Sequence, residues 1–294
     1  MVTGGAGQLA TALAAAGGER VRRVGRPDFD FDRPESVETV FRAAAPSLVV
    51  NAAAYTAVDA AETDAEAAFR ANRDGPALLA RLCAASGARL IHVSTDYVFD
   101  GLKGAPYDET DPTSPQGVYG ASKLAGEEAV LRECPSAVVL RTSWVYSPTG
   151  KNFVRTMLTA ARRTNRLRVV ADQRGCPTTA ADLANAILAV AERLDGRAGV
   201  FHAAGTGWTT WHGLARATFE EAARHGLAPP EVEAITTADW PTPARRPPDS
   251  RLDCGRLAAM FGVRLPHWRD SLCATVDAIF AAERAGATVG GGPG

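Results

Sequence analysis

The sequence predicts an α/β protein, a doubly wound parallel sheet of the Rossmann type followed by a smaller α/β lobe that would handle substrate. Three observations point there. A glycine-rich loop opens the chain, short β-branched runs alternate with alanine-rich helical stretches as far as residue 150, and Tyr119 stands four residues before Lys123 at a helix start.

The elements follow in order. Only Met1 and Val2 precede the loop, so the strand that would lie at the sheet centre is cut short. The next candidate strand is Val21 to Val24. Asp32 ahead of Arg33 and Pro34 has the form of an N-cap with proline in the first turn, opening a helix through Ala45. Leu48 to Asn51, Arg89 to Ser94, Ala137 to Thr142 and Arg168 to Val170 read as further strands, and Thr63 to Ala85 and Tyr119 to Glu133 as helices. Beyond residue 150 the alternation weakens, and a Pro/Arg-rich stretch, Trp240 to Ser250, interrupts it. The expected division is a dinucleotide-binding domain over 1–150, a substrate-binding lobe over 151–289 with some segments returning to the first domain, and a flexible tail over 290–294.

Composition narrows the classes of function. A 294-residue chain buries ~75% of the surface that its unfolded form exposes, so it needs no staple. Its 46% hydrophobic and 22% charged residues exclude disorder for most of the length. Thirty-two Lys+Arg against thirty-three Asp+Glu leave a net charge of −1, which offers no field for gathering nucleic acid. Apolar runs are broken by Arg, Asp or Glu well before the ~18 residues of a membrane span. The five cysteines are scattered and form no Cys-x-x-Cys pair, so neither a disulfide framework nor a metal site is expected. No secretory signal stands ahead of the first motif, and the reading is a reduced, cytoplasmic protein.

The loop Thr3-Gly4-Gly5-Ala6-Gly7-Gln8-Leu9-Ala10 carries the spacing Gly-x-x-Gly-x-x-Ala and runs into a helix-compatible stretch. Glycine lets the backbone turn tightly and approach a pyrophosphate, while the following helix aims free N–H groups at the anion. Glycine clusters also make ordinary turns; context favours the nucleotide. A ribose 2′-hydroxyl is usually met by an acid ~20 residues on and a 2′-phosphate by arginine. Here Arg22, Arg23 and Arg26 follow the second strand with no acid before Asp28, which points to NADPH unless the arginines are only a solvated edge.

Tyr119 and Lys123 share one face at a helix start. Reducing a ketone with hydride builds charge on its oxygen, and a proton donor must meet that charge. A neighbouring ammonium favours the phenolate, so Lys123 is expected to lower the tyrosine's pKa from ~10 and to hold the nicotinamide ribose. Thr95 and Asp96 leave the end of the fourth strand, where the threonine would donate to the same oxygen and the aspartate hold a sugar hydroxyl. Trp144 follows a strand on the ligand side and could stack on a sugar or pack in the core. For Trp208, Trp211, Trp240 and Trp268, packing is the default.

These residues resemble the dTDP-4-dehydrorhamnose reductase family, within the extended short-chain dehydrogenase/reductase superfamily. The likeness runs nearly end to end, through Gly4 to Ala10, Asn51-Ala52-Ala53-Ala54-Tyr55-Thr56-Ala57-Val58-Asp59, Ser94 to Gly101, Tyr119 to Glu127, Arg141 to Tyr146, Asp172 to Thr178 and Ser250 to Asp253. Loop and Tyr/Lys pair mark only the superfamily; the runs from Asn51, Arg141 and Asp172 mark the family. The resemblance implies reduction of the C4 ketone of dTDP-4-dehydro-6-deoxy-L-mannose to dTDP-L-rhamnose, with NADPH or NADH as hydride source. It implies that Gly7, Gln8 and Leu9 hold the pyrophosphate and that Asp30 and Phe31 flank the adenine. Ala53, Ala54, Tyr55 and Thr56 would line the nicotinamide side, with Tyr119 as acid and Lys123 its partner. Thr95, Asp96 and Trp144 would contact the sugar, and Asn152 and Gln173 the nucleotide half. Ala10 stands where a third glycine is usual, a helix-packing position. Some members are metal-linked dimers; this chain shows no such ligands, leaving monomer or homodimer open. A reductase of another nucleotide-linked 4-ketosugar, or a non-catalytic regulatory subunit of the same fold, are the competing readings.

Overall fold

Four parallel strands, Leu48–Asn51, Arg89–Thr95, Val138–Thr142 and Gly199–His202, lie side by side in that order in the computed structural model, which describes residues 1–289. The expected tail over 290–294 lies outside the described residues. Alternation along each strand sends Val50, Ile91 and Leu140 to one core and Val49, Leu90 and Val139 to the other. Gln8–Gly17 packs against Ala180–Ala191 on the first face; Pro34–Ala44, Gly75–Ser86 and Val118–Glu133 cover the second. Both faces are therefore sealed, as a parallel sheet requires, and each of these fully buried side chains contributes about 1.5–3 kcal/mol.

The shortened first strand still occupies its central place. Val2 bridges Val50 on one side and Arg23 on the other, both in parallel. The Val2 N–H donates to Arg22 at 2.8 Å, the Val24 N–H returns to Val2 at 2.8 Å, and the Thr3 N–H donates to Val50 at 3.0 Å. The segment around Arg23 thus lies to one side of the N-terminal residues and the later strands of the main sheet to the other. That reversal is the topological switch point, where a ligand crevice forms at the carboxyl ends of the strands.

The second lobe has its own scaffold. Arg166–Val170 pairs in parallel with Glu231–Ile235, so the strand expected near Arg168 belongs here and not to the main sheet. The main sheet takes Gly199–His202 instead, a run too short and mixed to stand out in the sequence. Helices Phe153–Ala161, Trp211–Ala223 and Trp268–Val289 pack together around Leu158, Leu214 and Leu272. Two local expectations also change. Arg33, not Asp32, is the N-cap of Pro34–Ala44, because both Asp32 oxygens are taken by Arg26 and Arg70. The long helix expected from Thr63 to Ala85 is a continuous run from Ala65 to Ser86 that widens into a π turn over Arg70–Asp74, and a separate short helix, Val58–Ala61, precedes it.

Candidate active site

A cleft of about 980 Å³ opens at the switch point, lined in large part by residues at or just beyond strand ends. One end is built almost entirely of backbone. Gly4 sits at φ +103°, and a Cβ there would fall 3.0 Å from the Ala52 carbonyl oxygen. A Cβ on Gly25 would lie 2.5 Å from the Gly5 Cα, so the loop and the turn after the second strand touch glycine to glycine. Beneath them the Thr3 hydroxyl donates to Asn51 Oδ1 at 2.6 Å and accepts the Ala52 and Ala53 N–H groups at 3.1 Å each. This pins Ala52 and Ala53 beside the loop. The helix Gln8–Gly17 begins without a side-chain cap or an acid in its first turn, leaving its leading N–H groups for an anion. Gly4, Gly7, Gln8 and Leu9 all line the cleft, as do Ala53, Ala54, Tyr55 and Thr56.

Farther along, Asp30 and Phe31 line the cleft beside Arg26. Arg22 and Arg23 do not: they lie within the strand segment that pairs with Val2, short of its carboxyl end, and the Arg23 guanidinium turns to Thr11 at 3.1 Å. Arg26, three residues on and past the strand, is the arginine at this end, held by Asp30 at 2.8 Å and Asp32 at 2.6 Å. Burial works to raise the Asp30 carboxyl, but the Asp32 N–H and Arg26 outweigh it and hold it below its ordinary value. Phe31 lies on Gly75, where a Cβ would come within 2.2 Å of the ring.

The other end is built of polar side chains. Thr95 and Asp96 close the strand Arg89–Thr95, while Tyr119 and Lys123 come from the first two turns of Val118–Glu133. Glu62 fixes the start of that helix by accepting the Val118 N–H at 2.8 Å. Arg141 fixes its flank through a buried two-pronged pair with Glu127, at 3.0 and 2.7 Å. Lys123 is buried, and its Nζ donates to the Val93 carbonyl at 2.7 Å. Burial pushes its pKa down to about 8, with Glu127 pulling the other way. Tyr119 is pushed up to about 12 by burial, against the lowering effect of the Thr95 hydroxyl. The expected acidification of Tyr119 by Lys123 is thus absent: desolvation dominates, and the ammonium is engaged by Val93. Burial raises Asp96 to about 6, opposed by the hydroxyls of Ser250, Thr95 and Ser143. The Thr95 hydroxyl donates to Asp96 Oδ1 at 3.1 Å.

Two buried hydroxyls on the cleft wall, Ser94 Oγ and Thr142 Oγ1, find no protein partner. Orphaned buried donors are costly, and here they belong to residues of the cleft wall. With the side-chain-free cradle at Gly4 and Gly7, the residues fit a nicotinamide dinucleotide laid from Asp30 towards Tyr119.

Trp144 lines the same end at φ +48°, a strained backbone for so large a residue. It stacks on Trp211 with centroids 3.5 Å apart and planes 6° from parallel. Trp211, assigned to packing from sequence, is part of the cleft wall; only its pairing with a residue far off in the chain reveals this. Gln173 and Asn152 lie behind the wall instead of on it. Gln173 accepts the Trp211 indole N–H at 3.1 Å and donates to Thr237 at 3.0 Å. Asn152 donates to Gln8 at 2.9 Å and caps Phe153–Ala161 by accepting the Arg155 N–H. Their side-chain groups are spent on holding Trp211 and the glycine-loop helix.

Fold and site together define an oxidoreductase of the dinucleotide-binding Rossmann class. The family described as RmlD substrate binding domain matches residues 1–280, and the chain belongs to that family. It is 46% identical to a dTDP-4-dehydrorhamnose reductase of Sinorhizobium fredii, across 92% of this chain and 94% of the relative. Among solved structures, a dTDP-4-dehydrorhamnose reductase of Clostridium acetobutylicum superposes with a TM-score of 0.88 at 35% identity, covering 94% of this chain and 97% of that one. The reductase of Bacillus anthracis in complex with NADP also superposes at 0.88, with 31% identity over 93% and 96% of the two chains.

Proposed function

We propose that the protein is a dTDP-4-dehydrorhamnose reductase, reducing the C4 ketone of dTDP-4-dehydro-6-deoxy-L-mannose to dTDP-L-rhamnose. The observation that carries this reading is the convergence of Tyr119, Thr95 and Lys123 at one end of a cleft whose other end is a phosphate cradle. The printed activity of the relatives supports it. NADPH is the preferred cofactor and NADH an accepted one, since Arg26 suits a 2′-phosphate and Asp30 a 2′-hydroxyl at the same end.

The cofactor, when bound, supplies hydride to the ketone carbon. Tyr119 donates the proton to the ketone oxygen. Its raised pKa keeps the phenol loaded at neutral pH, and transfer runs downhill because an alkoxide is a far stronger base than a phenolate. Thr95 holds the same oxygen, while Asp96, ionised above about 6, accepts a sugar hydroxyl. Below about 8 Lys123 carries the charge that would hold the nicotinamide ribose when the cofactor is bound. Trp144 and Trp211 form the wall against which the sugar nucleotide lies. The protein works in the cytoplasm as a monomer or homodimer, a reading supported by five free cysteines and a soluble sugar-nucleotide substrate.

The test is direct. Purified protein mixed with NADPH and the dTDP-4-keto sugar should consume the reduced-nicotinamide absorbance and yield dTDP-L-rhamnose by NMR. Failure to consume NADPH while still binding it overturns the reading, and a product of opposite C4 configuration reassigns the substrate.

A further inference from the structure

The Pro/Arg-rich stretch Trp240 to Ser250 is not idle connection. It leaves the second lobe, crosses to the first, and is fastened at both ends. At one end the Asp59 carboxylate receives the Arg246 guanidinium through two bonds, at 2.5 and 2.8 Å, and the Ala244 N–H at 3.1 Å. At the other, the Arg174 N–H donates to Pro248 and the Ser250 N–H to Arg174, each at 2.9 Å. Between them Pro247 and Pro248 lie on Gly101, where a Cβ would approach within 2.7–2.8 Å. The segment is held stiffly across the mouth of the first lobe.

Its contacts lead to the reacting end of the cleft. The Arg246 charge also acts on the Tyr97 side chain, which itself lines the cleft. Tyr97 stands edge-on to the Tyr119 ring, with centroids 5.7 Å apart and planes at 76°. Its backbone is just as close: a Cβ on Gly120, next to Tyr119, would come within 2.2 Å of the Tyr97 carbonyl oxygen. Glu62, three residues beyond Asp59, caps the helix that carries Tyr119. One short helical segment therefore grips both the crossing strap and the catalytic helix, and Tyr97 is wedged between them.

We infer that Arg246, anchored on Asp59, is a positioning residue for the proton donor Tyr119 and acts through Tyr97. It touches neither substrate nor cofactor; it sets where the Tyr97 ring stands and hence where the Tyr119 hydroxyl points. The inference rests on the assignment of Tyr119 above. A bidentate guanidinium suits the task because its planar fork fixes it on the Asp59 carboxylate, which a lysine cannot do, and so holds the positive charge in a set place near Tyr97. Misplacement of a reacting group by about 1 Å costs up to ~100-fold in rate, so a lost prop shows in turnover.

The experiment compares Arg246→Ala, Tyr97→Phe and the double variant by kcat, by KM for the sugar nucleotide and by NADPH affinity from fluorescence titration. The expected result is a kcat loss of ~10-fold in each single variant at unchanged NADPH affinity. The double variant should be no slower than the slower single, because both remove the same prop. A purely structural clasp would instead give multiplying losses and a fall in NADPH affinity, and either outcome overturns the inference. So does an Arg246→Ala protein that keeps more than half of the wild-type kcat. Should that variant not fold, Arg246→Lys and Asp59→Asn carry the same test, with reduced kcat at full NADPH affinity supporting the role and unchanged kcat overturning it. Tyr119→Phe run alongside separates the two ideas. If it turns over normally, the proton-donor assignment fails; if it is inactive while the Arg246 variants are fully active, only the positioning role fails.

Discussion

The two ends of the cleft are built by opposite means. Around Gly4, Gly7 and Ala52 the wall is bare backbone, and what matters is the space that missing side chains leave. Around Thr95, Asp96, Tyr119 and Lys123 the wall is polar side chains held in a poorly solvated place, and what matters is the proton each carries. The contrast suits the labour: a pyrophosphate needs N–H groups at close range and no chemistry, whereas a ketone needs a charged donor set that water does not weaken. Substitutions that only add bulk should therefore break the first end, and substitutions that only remove a proton or a charge should break the second.

The sharpest break is at the reacting end. Tyr119→Phe removes one oxygen and leaves the ring against Tyr97, so kcat is expected to fall ~1000-fold while NADPH affinity stays within about twofold. Stopped-flow or steady-state absorbance and fluorescence titration measure the two. Next in size is Gly4→Ala. The added methyl meets the Ala52 carbonyl at 3.0 Å on a backbone of φ +103°, a strain of about 1–3 kcal/mol that the loop relieves by moving. NADPH affinity should fall ~100-fold, with kcat at saturating cofactor reduced far less. If the alanine variant lost kcat and kept its affinity, the division between the two ends would be wrong.

Legibility follows the same division. The glycine cradle and the Tyr119/Lys123 pair are local in the chain, since a turn and a single helix face bring their residues together, and both could be read directly. The nucleotide arginine was visible as a run, Arg22, Arg23 and Arg26, but which of them faces the cleft depends on the pairing of Val2 with Arg23, a contact across the sheet. Trp211 meets Trp144 only after the second lobe folds back, and nothing in the spacing of tryptophans says so. Asn152 and Gln173 carry the right chemistry for a ligand but spend it on Gln8 and Trp211. The strand Gly199–His202 escaped because its place in the main sheet comes from packing beside Val138–Thr142 rather than from its composition. The pKa of Tyr119 was misjudged for the same kind of reason: helix geometry places an ammonium nearby, but burial depth is a property of the whole fold.

Lys123 belongs to the reacting end, and its behaviour with pH tests the division. Its pKa is about 8 in the folded protein against an ordinary 10.5, so it is charged below about 8 and neutral above. NADPH affinity should fall ~10-fold as pH rises through 8, and Lys123→Met should abolish that inflection. Stability moves the other way. Between about 8 and 10.5 the unfolded chain holds a proton that the folded one does not, so folding grows more favourable as pH climbs through this window. Thermal unfolding of wild type and Lys123→Met across that range checks the sign.

The smallest effect belongs to the aromatic wall. Stacked rings contribute about 0.5–1.5 kcal/mol beyond simple burial, and Trp211 stacks on Trp144 in the cleft wall. Trp211→Leu should raise KM for the sugar nucleotide ~3–10-fold, with kcat within about twofold and NADPH affinity unchanged. The logic is that a wall shared by ground state and transition state affects binding and leaves the chemical step alone. A fall in kcat without a change in KM would instead mean that Trp144, released from its partner and free to leave its strained φ of +48°, had been orienting the ketone itself.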